Sequence, residues 1–199
     1  MQTKNPLNEL KNVDLSHLSK QEAKEFTLLL EELELREKRE TSIGTFYEFV
    51  KNIWPEFIAG SHHKKMAEAF DKIAEGESKR LIINMPPRHT KSEFASYLFP
   101  AYLLGKRPKL KIIEATHTAD LAINFGRRVR DLIESDEYAD LFPKTQLKAD
   151  SRSAGKWLTS QGGEYYASGI GGALAGRGAD LFIIDDPHSE QDAFSDKAL

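Results

Sequence analysis

The chain has 199 residues, 40% of them hydrophobic and 30% charged, a balance ordinary for a soluble globular protein with one main domain. A formal net charge of −3 gives no global nucleic-acid signature, and zero cysteines exclude disulfides and thiolate metal sites. No apolar run approaches the ~18 residues of a membrane span, and the polar start Met1-Gln2-Thr3-Lys4-Asn5-Pro6 lacks the apolar stretch of a signal peptide, so a cytosolic protein without membrane contact is expected.

Ser19-Lys20-Gln21-Glu22 is a capping-box pattern, and Phe26, Leu29, Leu30 and Leu33 follow at helical spacing before the charge-dense run at residues 36–40. This predicts an amphipathic helix over 19–40 within a peripheral N-terminal helical arm, residues 1–44. Residues 45–58 form an aromatic segment ending near Trp54-Pro55. Ser61 then opens a helix whose apolar face is Met66, Ala67, Phe70 and Ile73, stopped near Gly76. Residues 81–85 read as a buried strand. The loop after it leads into a helix from Lys91 to about Leu104, closed by Gly105 and kinked at Pro100.

Beyond a basic turn at 106–109, residues 110–115 read as another buried strand. A helix over 119–134 follows, capped by Thr118, with Leu121, Phe125, Val129 and Leu132 facing inward. This alternation predicts a mostly parallel sheet flanked by helices, in an α/β domain spanning 45–199. Trp157-Leu158-Thr159 and Glu164-Tyr165-Tyr166-Ala167, separated by Gln161-Gly162-Gly163, read as a hairpin. The tract 169–178, with Gly171, Gly172, Gly176 and Arg177, is expected to be a mobile loop whose backbone approaches a ligand or partner closely.

Two motifs carry chemistry. Leu81-Ile82-Ile83-Asn84-Met85-Pro86-Pro87-Arg88-His89-Thr90-Lys91-Ser92 reads as a strand running into a turn that closes with Lys-Ser at the head of a helix. A polyphosphate asks for inward backbone N–H groups at a helix N-terminus, an ammonium for the β and γ oxygens, and a hydroxyl on Mg²⁺. Lys91 and Ser92 supply the last two, although Met85 and Thr90 stand where the common G-x-x-x-x-G-K-[ST] pattern has glycine. Alone, the stretch reads equally as a plain strand-to-helix connection. The second motif, Ala179-Asp180-Leu181-Phe182-Ile183-Ile184-Asp185-Asp186-Pro187, is a short apolar run ending in carboxylates, as a central parallel strand does where its C-terminal end meets a ligand crevice. Together they assign Asp185 to Mg²⁺ alongside Ser92, and Asp186 to the attacking water. If Thr90 takes φ > 0, strain of about 1–3 kcal/mol at a β-branched residue predicts weak nucleotide affinity.

Read together, residues 80–92, Gly169-Ile170-Gly171-Gly172 and Gly176-Arg177-Gly178-Ala179-Asp180 running into 181–187 closely resemble the large terminase subunit of tailed bacteriophages, over about residue 45 to the C-terminus. The resemblance implies a P-loop NTPase of the additional-strand type: an ATPase motor driving double-stranded DNA into a procapsid. Its implied cofactors are ATP and Mg²⁺. Implied partners are viral DNA, the portal protein and the small terminase subunit, with the subunits forming a homo-oligomeric ring on the portal. The implied location is host cytoplasm, transiently docked on the procapsid. The family also carries a C-terminal nuclease. With 14 residues after Asp185, an ATPase module truncated before its last core strands, without nuclease, is expected here.

By the same resemblance, Pro87, Arg88, His89 and Thr90 join Lys91 and Ser92 in the phosphate loop, and Arg88 reaches the γ-phosphate. Arg177 is the candidate trans arginine finger, or else a surface loop arginine. The family usually has glutamate after the metal-binding aspartate; Asp186 stands here, with Glu190 as reserve general base. An adenine pocket is expected from Trp54, Pro55 and His62 or His63. DNA contact is open between Arg127, Arg128 and Arg130 on one helix and Lys106, Arg107 and Lys109 in a turn. The competing readings are a helicase-like NTPase, disfavoured by Asp185-Asp186-Pro187, and a nucleotide-independent assembly module.

Overall fold

The computed structural model describes residues 10–11, 13–14, 17–172 and 174–189. Helix α1, Lys20–Ser42, begins where the capping box places it: the Glu22 N–H donates to Ser19 Oγ and the Ser19 N–H to a Glu22 carboxylate oxygen at 2.8 Å. Leu29 and Leu33 on its apolar face are exposed. Two further helices follow, α2 at Phe46–Ile53 and α3 at Ser61–Glu75. Helix α2 is capped by Thr45 and by Asp71 of α3, whose carboxylate accepts the Phe46 N–H at 2.8 Å. Gly76 ends α3 at φ 81, a left-handed turn that costs glycine nothing.

The helix after Lys91 is not regular. Residues Glu93–Leu98 form a π-helical turn that continues into α4, Phe99–Lys106. Pro100 has no N–H to return to the turn before it, and the Phe99 N–H bonds the Phe94 carbonyl five residues back. The widened turn falls immediately before the proline. Strand β1 is Lys111–Thr116, α5 is Ala119–Ile133 capped by Thr118, and α6 is Asp136–Leu141. Phe125, Val129 and Leu132 of α5 are buried as expected, but Leu121 is exposed and Ala122 takes the inward place. Gly105 is where α4 meets the residue after α6: a Cβ there would lie 2.5 Å from the Phe142 ring.

Strands β2 (Leu147–Arg152), β3 (Lys156–Thr159), β4 (Glu164–Gly169) and β5 (Leu181–Asp185) complete an open five-stranded sheet in the order β2-β3-β4-β1-β5. It is mixed rather than mostly parallel: β1 runs parallel to β4 and β5, while β2-β3 and β3-β4 are antiparallel. The hairpin at Gln161-Gly162-Gly163 turns the chain back, and an antiparallel edge is the consequence. Trp157 and Tyr165, paired across it, stack at 4.9 Å, and the Trp157 indole donates to the Gly126 carbonyl of α5. No helix among the described residues is long and apolar enough to cross a membrane.

The expected strand at residues 81–85 joins no ladder. Residues 81–85 face β5 across a cleft of about 870 Å³ lined by Leu81, Ile82, Ile83, Phe182 and Ile184. β5 bonds β1 through one edge, and nothing described bonds the other. An apolar β-branched run favours a pleated, half-buried position, yet a strand also needs a neighbour within hydrogen-bonding reach. Ile82, Phe182 and Ile184 are accordingly exposed.

An aromatic hub holds the helices to one another. The Phe46 ring meets Phe70 and Phe94 edge-on at 5.2 and 5.5 Å, Phe99 at 5.4 Å and Tyr102 at 5.5 Å, joining α2, α3 and the helix after Lys91 in one buried cluster. Edge-to-face pairs of this kind contribute about 0.5–1.5 kcal/mol each beyond burial. Beneath the sheet's C-terminal edge, β1 carries an unexpected acid. Glu114 is fully buried and neither carboxylate oxygen has a hydrogen-bond partner of good geometry. Burial raises its pKa well above 4.5; the nearby Ser96 hydroxyl acts in the opposite direction and the Asp185 charge adds to the rise.

A carboxyl whose folded-state pKa is raised favours folding fully below its unfolded value and loses that contribution as pH climbs toward the folded value. Glu114→Gln removes the ionisable proton at constant shape. Thermal unfolding between pH 4.5 and 8 is expected to show the variant more stable than the wild type at pH 8, with the gap closing toward pH 4.5. A variant less stable than wild type at pH 8 would show that the carboxyl is partnered in a way the structure does not contain.

Candidate functional site

Strand β1 lies between two parallel neighbours, and a parallel sheet places ligand crevices outside the C-terminal ends of its strands. Register puts Thr116 opposite both Gly169 and Asp185, so three strand ends share that edge. The His117 N–H donates to the Asp186 carbonyl at 3.2 Å and the Ile170 N–H to the Thr116 carbonyl at 2.9 Å, tying the loops that leave them. Gly169 is needed there, because a Cβ would come within 2.9 Å of the Ala119 amide nitrogen.

The loop carrying Pro87 to Ser92 reaches the same edge. The Thr90 carbonyl accepts the Phe94 N–H at 3.0 Å, so helical bonding starts at Thr90 and puts Lys91 and Ser92 in the first turn. Lys91 Nζ lies 3.2 Å from Asp185 Oδ1 and in still closer contact with Asp186 Oδ1. Asp185 is buried and Asp186 mostly exposed. Burial pulls the Lys91 ammonium toward neutrality, but its hydrogen bond to Asp186 and the Asp185 charge together outweigh that and raise its pKa.

Three non-glycine residues among those described have positive φ: Arg88 at 62°, Thr90 at 61° and Asp186 at 42°. All three belong to this one site. The left-handed region is costly for a β-branched residue, about 1–3 kcal/mol, and such strain persists only where surrounding contacts enforce it. For Thr90 the enforcing contact is His63, whose Nε2 lies 2.7 Å from Thr90 Oγ1. The His63 ring is buried between Phe57 and Phe94, at 4.7 and 5.4 Å, and leaves no face for a nucleobase. His63 therefore does not offer its ring to the adenine pocket expected from Trp54, Pro55 and His62 or His63. Trp54 packs on Phe57, one ring further from the loop.

The remaining candidates divide. His89 Nδ1 lies 2.9 Å from the Pro87 carbonyl, which folds the loop on itself. Arg88 is exposed and makes no ion pair among the described residues. Ser92 has its hydroxyl free of hydrogen bonds to other described residues, and Glu190 lies outside the described residues. Arg177 is placed elsewhere: its guanidinium is 3.7 Å from the Tyr166 ring centroid and 3.5 Å from Glu164 Oε1. Glu164 pairs with Lys111 at the opposite ends of the parallel strands, five residues from Asp185 in register, roughly 16 Å at strand rise. Within one chain, Arg177 and Lys91 therefore do not share a site.

Two further groups carry no signal in any local residue pattern. Glu114 was one polar residue inside a buried run. Glu93 accepts two bonds from Arg128, at 3.0 and 2.5 Å, while that guanidinium lies 4.2 Å from the Tyr97 ring centroid. This clamp fastens the helix that begins at Lys91 to α5, and the Glu-Arg spacing of 35 residues hides it from any local pattern. Of the other basic candidates, Arg130 pairs with Asp131, Lys106 donates to the Tyr102 hydroxyl and Arg107 to the Ala74 carbonyl.

The donor set at the edge is oxygen only: Ser92, Asp185 and Asp186. Such ligands suit Mg²⁺, which keeps several waters and takes one or two carboxylates together with phosphate oxygens. Among the described residues no group of three or more His, Cys, Asp or Glu forms a metal cage. The Lys91 ammonium already occupies a cation's place between the two carboxylates, so the residues fit a metal that arrives with a phosphate ligand of its own. No family model, no curated protein and no solved structure matches the chain.

Removing Lys91 strands a buried carboxylate, whereas removing Asp186 leaves Lys91 and Asp185 paired. In urea unfolding Lys91→Ala is expected to cost about 2–3 kcal/mol and Asp186→Ala less than about 1 kcal/mol. Adding Asp185→Asn to Lys91→Ala is expected to restore most of the loss. Equal costs for the two single variants would contradict this placement of charge.

Proposed function

We propose that the chain is the ATPase module of a DNA-packaging motor of the large-terminase kind, binding ATP with Mg²⁺ at the edge formed by Lys91, Ser92, Asp185 and Asp186. The observation that carries the reading is one ammonium held against two carboxylates, at the C-terminal ends of parallel strands and at the start of a helix. A structural ion pair needs one acid. Here the second acid, the backbone strain at Arg88, Thr90 and Asp186, and the free Ser92 hydroxyl converge on the same few residues.

On this reading Lys91 exchanges its carboxylate partners for β- and γ-phosphate oxygens, and the N–H groups of the first helical turn face the phosphate chain. Ser92 and Asp185 hold the metal. When bound, Mg²⁺ supplies neutralisation of the charge that develops on the β and γ oxygens. Asp186, released from Lys91, orients and deprotonates the attacking water, and burial disfavours a further negative charge on Glu114 below Asp185. Arg88, exposed in the loop, is positioned for the γ-phosphate. Arg177, at the opposite ends of the parallel strands, serves only if a neighbouring subunit's nucleotide meets it, as a homo-oligomeric ring on the portal would arrange. Double-stranded DNA, the portal and the small terminase subunit are the partners this reading assigns. Of the basic residues considered for DNA contact, Arg127 and Lys109 are exposed and have no partner among the described residues.

Calorimetric titration with Mg-ATP and turnover with and without DNA provide the test, at a temperature where every variant is folded by circular dichroism. Lys91→Ala is expected to weaken binding at least about a hundredfold. Asp186→Asn is expected to keep affinity within a few-fold and to lower turnover by about 10²–10³. A Lys91→Ala chain that binds and turns over like the wild type would end the reading in favour of an assembly module.

A further inference from the structure

The left-handed conformation of Thr90 is set from outside its own loop. The Gly60 N–H donates to His63 Nδ1 at 2.8 Å, so that nitrogen presents a lone pair and the neutral ring carries its hydrogen on Nε2. Burial, with the neighbouring His62 and His89, lowers the His63 pKa and favours that neutral ring. Nε2–H then donates to Thr90 Oγ1 at 2.7 Å, and the Thr90 hydroxyl donates onward to the His89 carbonyl at 2.6 Å. Each donor in this chain has one acceptor, and reversing any link would leave Nδ1 facing an N–H with a hydrogen of its own. The ring has no freedom to turn away: Phe57 and Phe94 flank it and His62 lies 3.8 Å off. A Cβ on Gly60 would meet the His62 ring at 2.8 Å, so the donor at the head of α3 is itself held by a tight approach.

We infer that His63 is a positioning residue for the phosphate loop: through Thr90 Oγ1 it holds the backbone in the conformation that a glycine at position 90 would reach unaided. The inference rests on the nucleotide reading above and adds to it a residue 27 positions upstream of the loop. A threonine is tolerated before Lys91 because its hydroxyl is the handle by which α3 grips the turn. Glycine at 90 would make the histidine unnecessary, and alanine at 90 would have neither the freedom nor the handle.

The test is a double-mutant cycle on the full chain, read by competition of Mg-ADP against a fluorescent nucleotide. His63→Phe fills the ring's space without the donor and is expected to raise Kd about tenfold or more. In the Thr90→Gly background, where the turn needs no grip, adding His63→Phe is expected to change Kd by less than about threefold, so that the effect of the histidine disappears. His63→Gln, whose amide nitrogen reaches the place of Nε2, is expected to recover part of the affinity. Nitrogen-15 shifts of the His63 imidazole in the nucleotide-free chain are expected to show hydrogen on Nε2. A His63→Phe loss of affinity that persists in the Thr90→Gly background, or hydrogen on Nδ1, would overturn the clamp and reduce His63 to core packing. A wild-type chain that binds no magnesium nucleotide would instead overturn the nucleotide reading on which the clamp rests.

Discussion

Lys91 held between Asp185 and Asp186 is the contact on which the rest of the architecture converges. Its ammonium comes from a helix that opens directly after an irregular loop, and its carboxylates from the end of β5. Bringing them together requires β5 to sit beside β1 in parallel and the helix after Lys91 to lie across their ends. The aromatic hub around Phe46 fixes that helix from one side, and the Arg128–Glu93 clamp from the other. A buried carboxylate tolerates its low-dielectric place only with a cation near it, so the same contact that suggests chemistry also holds the sheet edge together.

Strain is concentrated rather than spread. Arg88, Thr90 and Asp186 all occupy left-handed backbone conformations, and all three border the Lys91 ammonium's surroundings. Each lies beside a specific contact: the His63 bond at Thr90, the His117 N–H on the Asp186 carbonyl, and the folded-back His89 ring beside Arg88. On the proposed reading, a site preformed in this way would need little rearrangement to receive a polyphosphate. It does need Lys91 to change partners.

Much of this was legible in residue patterns that act locally. Ser19 with Glu22, Thr118 and Gly76 mark helix ends through single hydrogen bonds or a single dihedral angle, and the structure puts helix ends there. The apolar runs at 110–115 and 181–184 became paired strands, and the Gln161-Gly162-Gly163 turn became a hairpin. Three features were hidden because they depend on distant partners. The run at 81–85 has strand composition, but among the described residues nothing lies within bonding distance of its backbone. With that run outside the ladder and the β2-β3-β4 edge antiparallel, the sheet is mixed. Leu121 sits at helical spacing with Phe125, yet its place near the α5 N-terminus leaves it beyond the covered surface.

The candidate site divides along the same line. Lys91, Asp185 and Asp186 come together from motifs separated by 95 residues, and short patterns sufficed to nominate them. His63 and Arg177 were nominated by residue type, and their surroundings give them other partners: Thr90 for the first, Glu164 and Tyr166 for the second. The most direct measurement of the central claim is a crystal structure with Mg²⁺ and a non-hydrolysable ATP analogue. The account calls for Lys91 Nζ on the β- and γ-phosphate oxygens, with Asp185 and Ser92 on the metal side and Asp186 freed. An analogue bound elsewhere, with Lys91 still closed on Asp185 and Asp186, would contradict it.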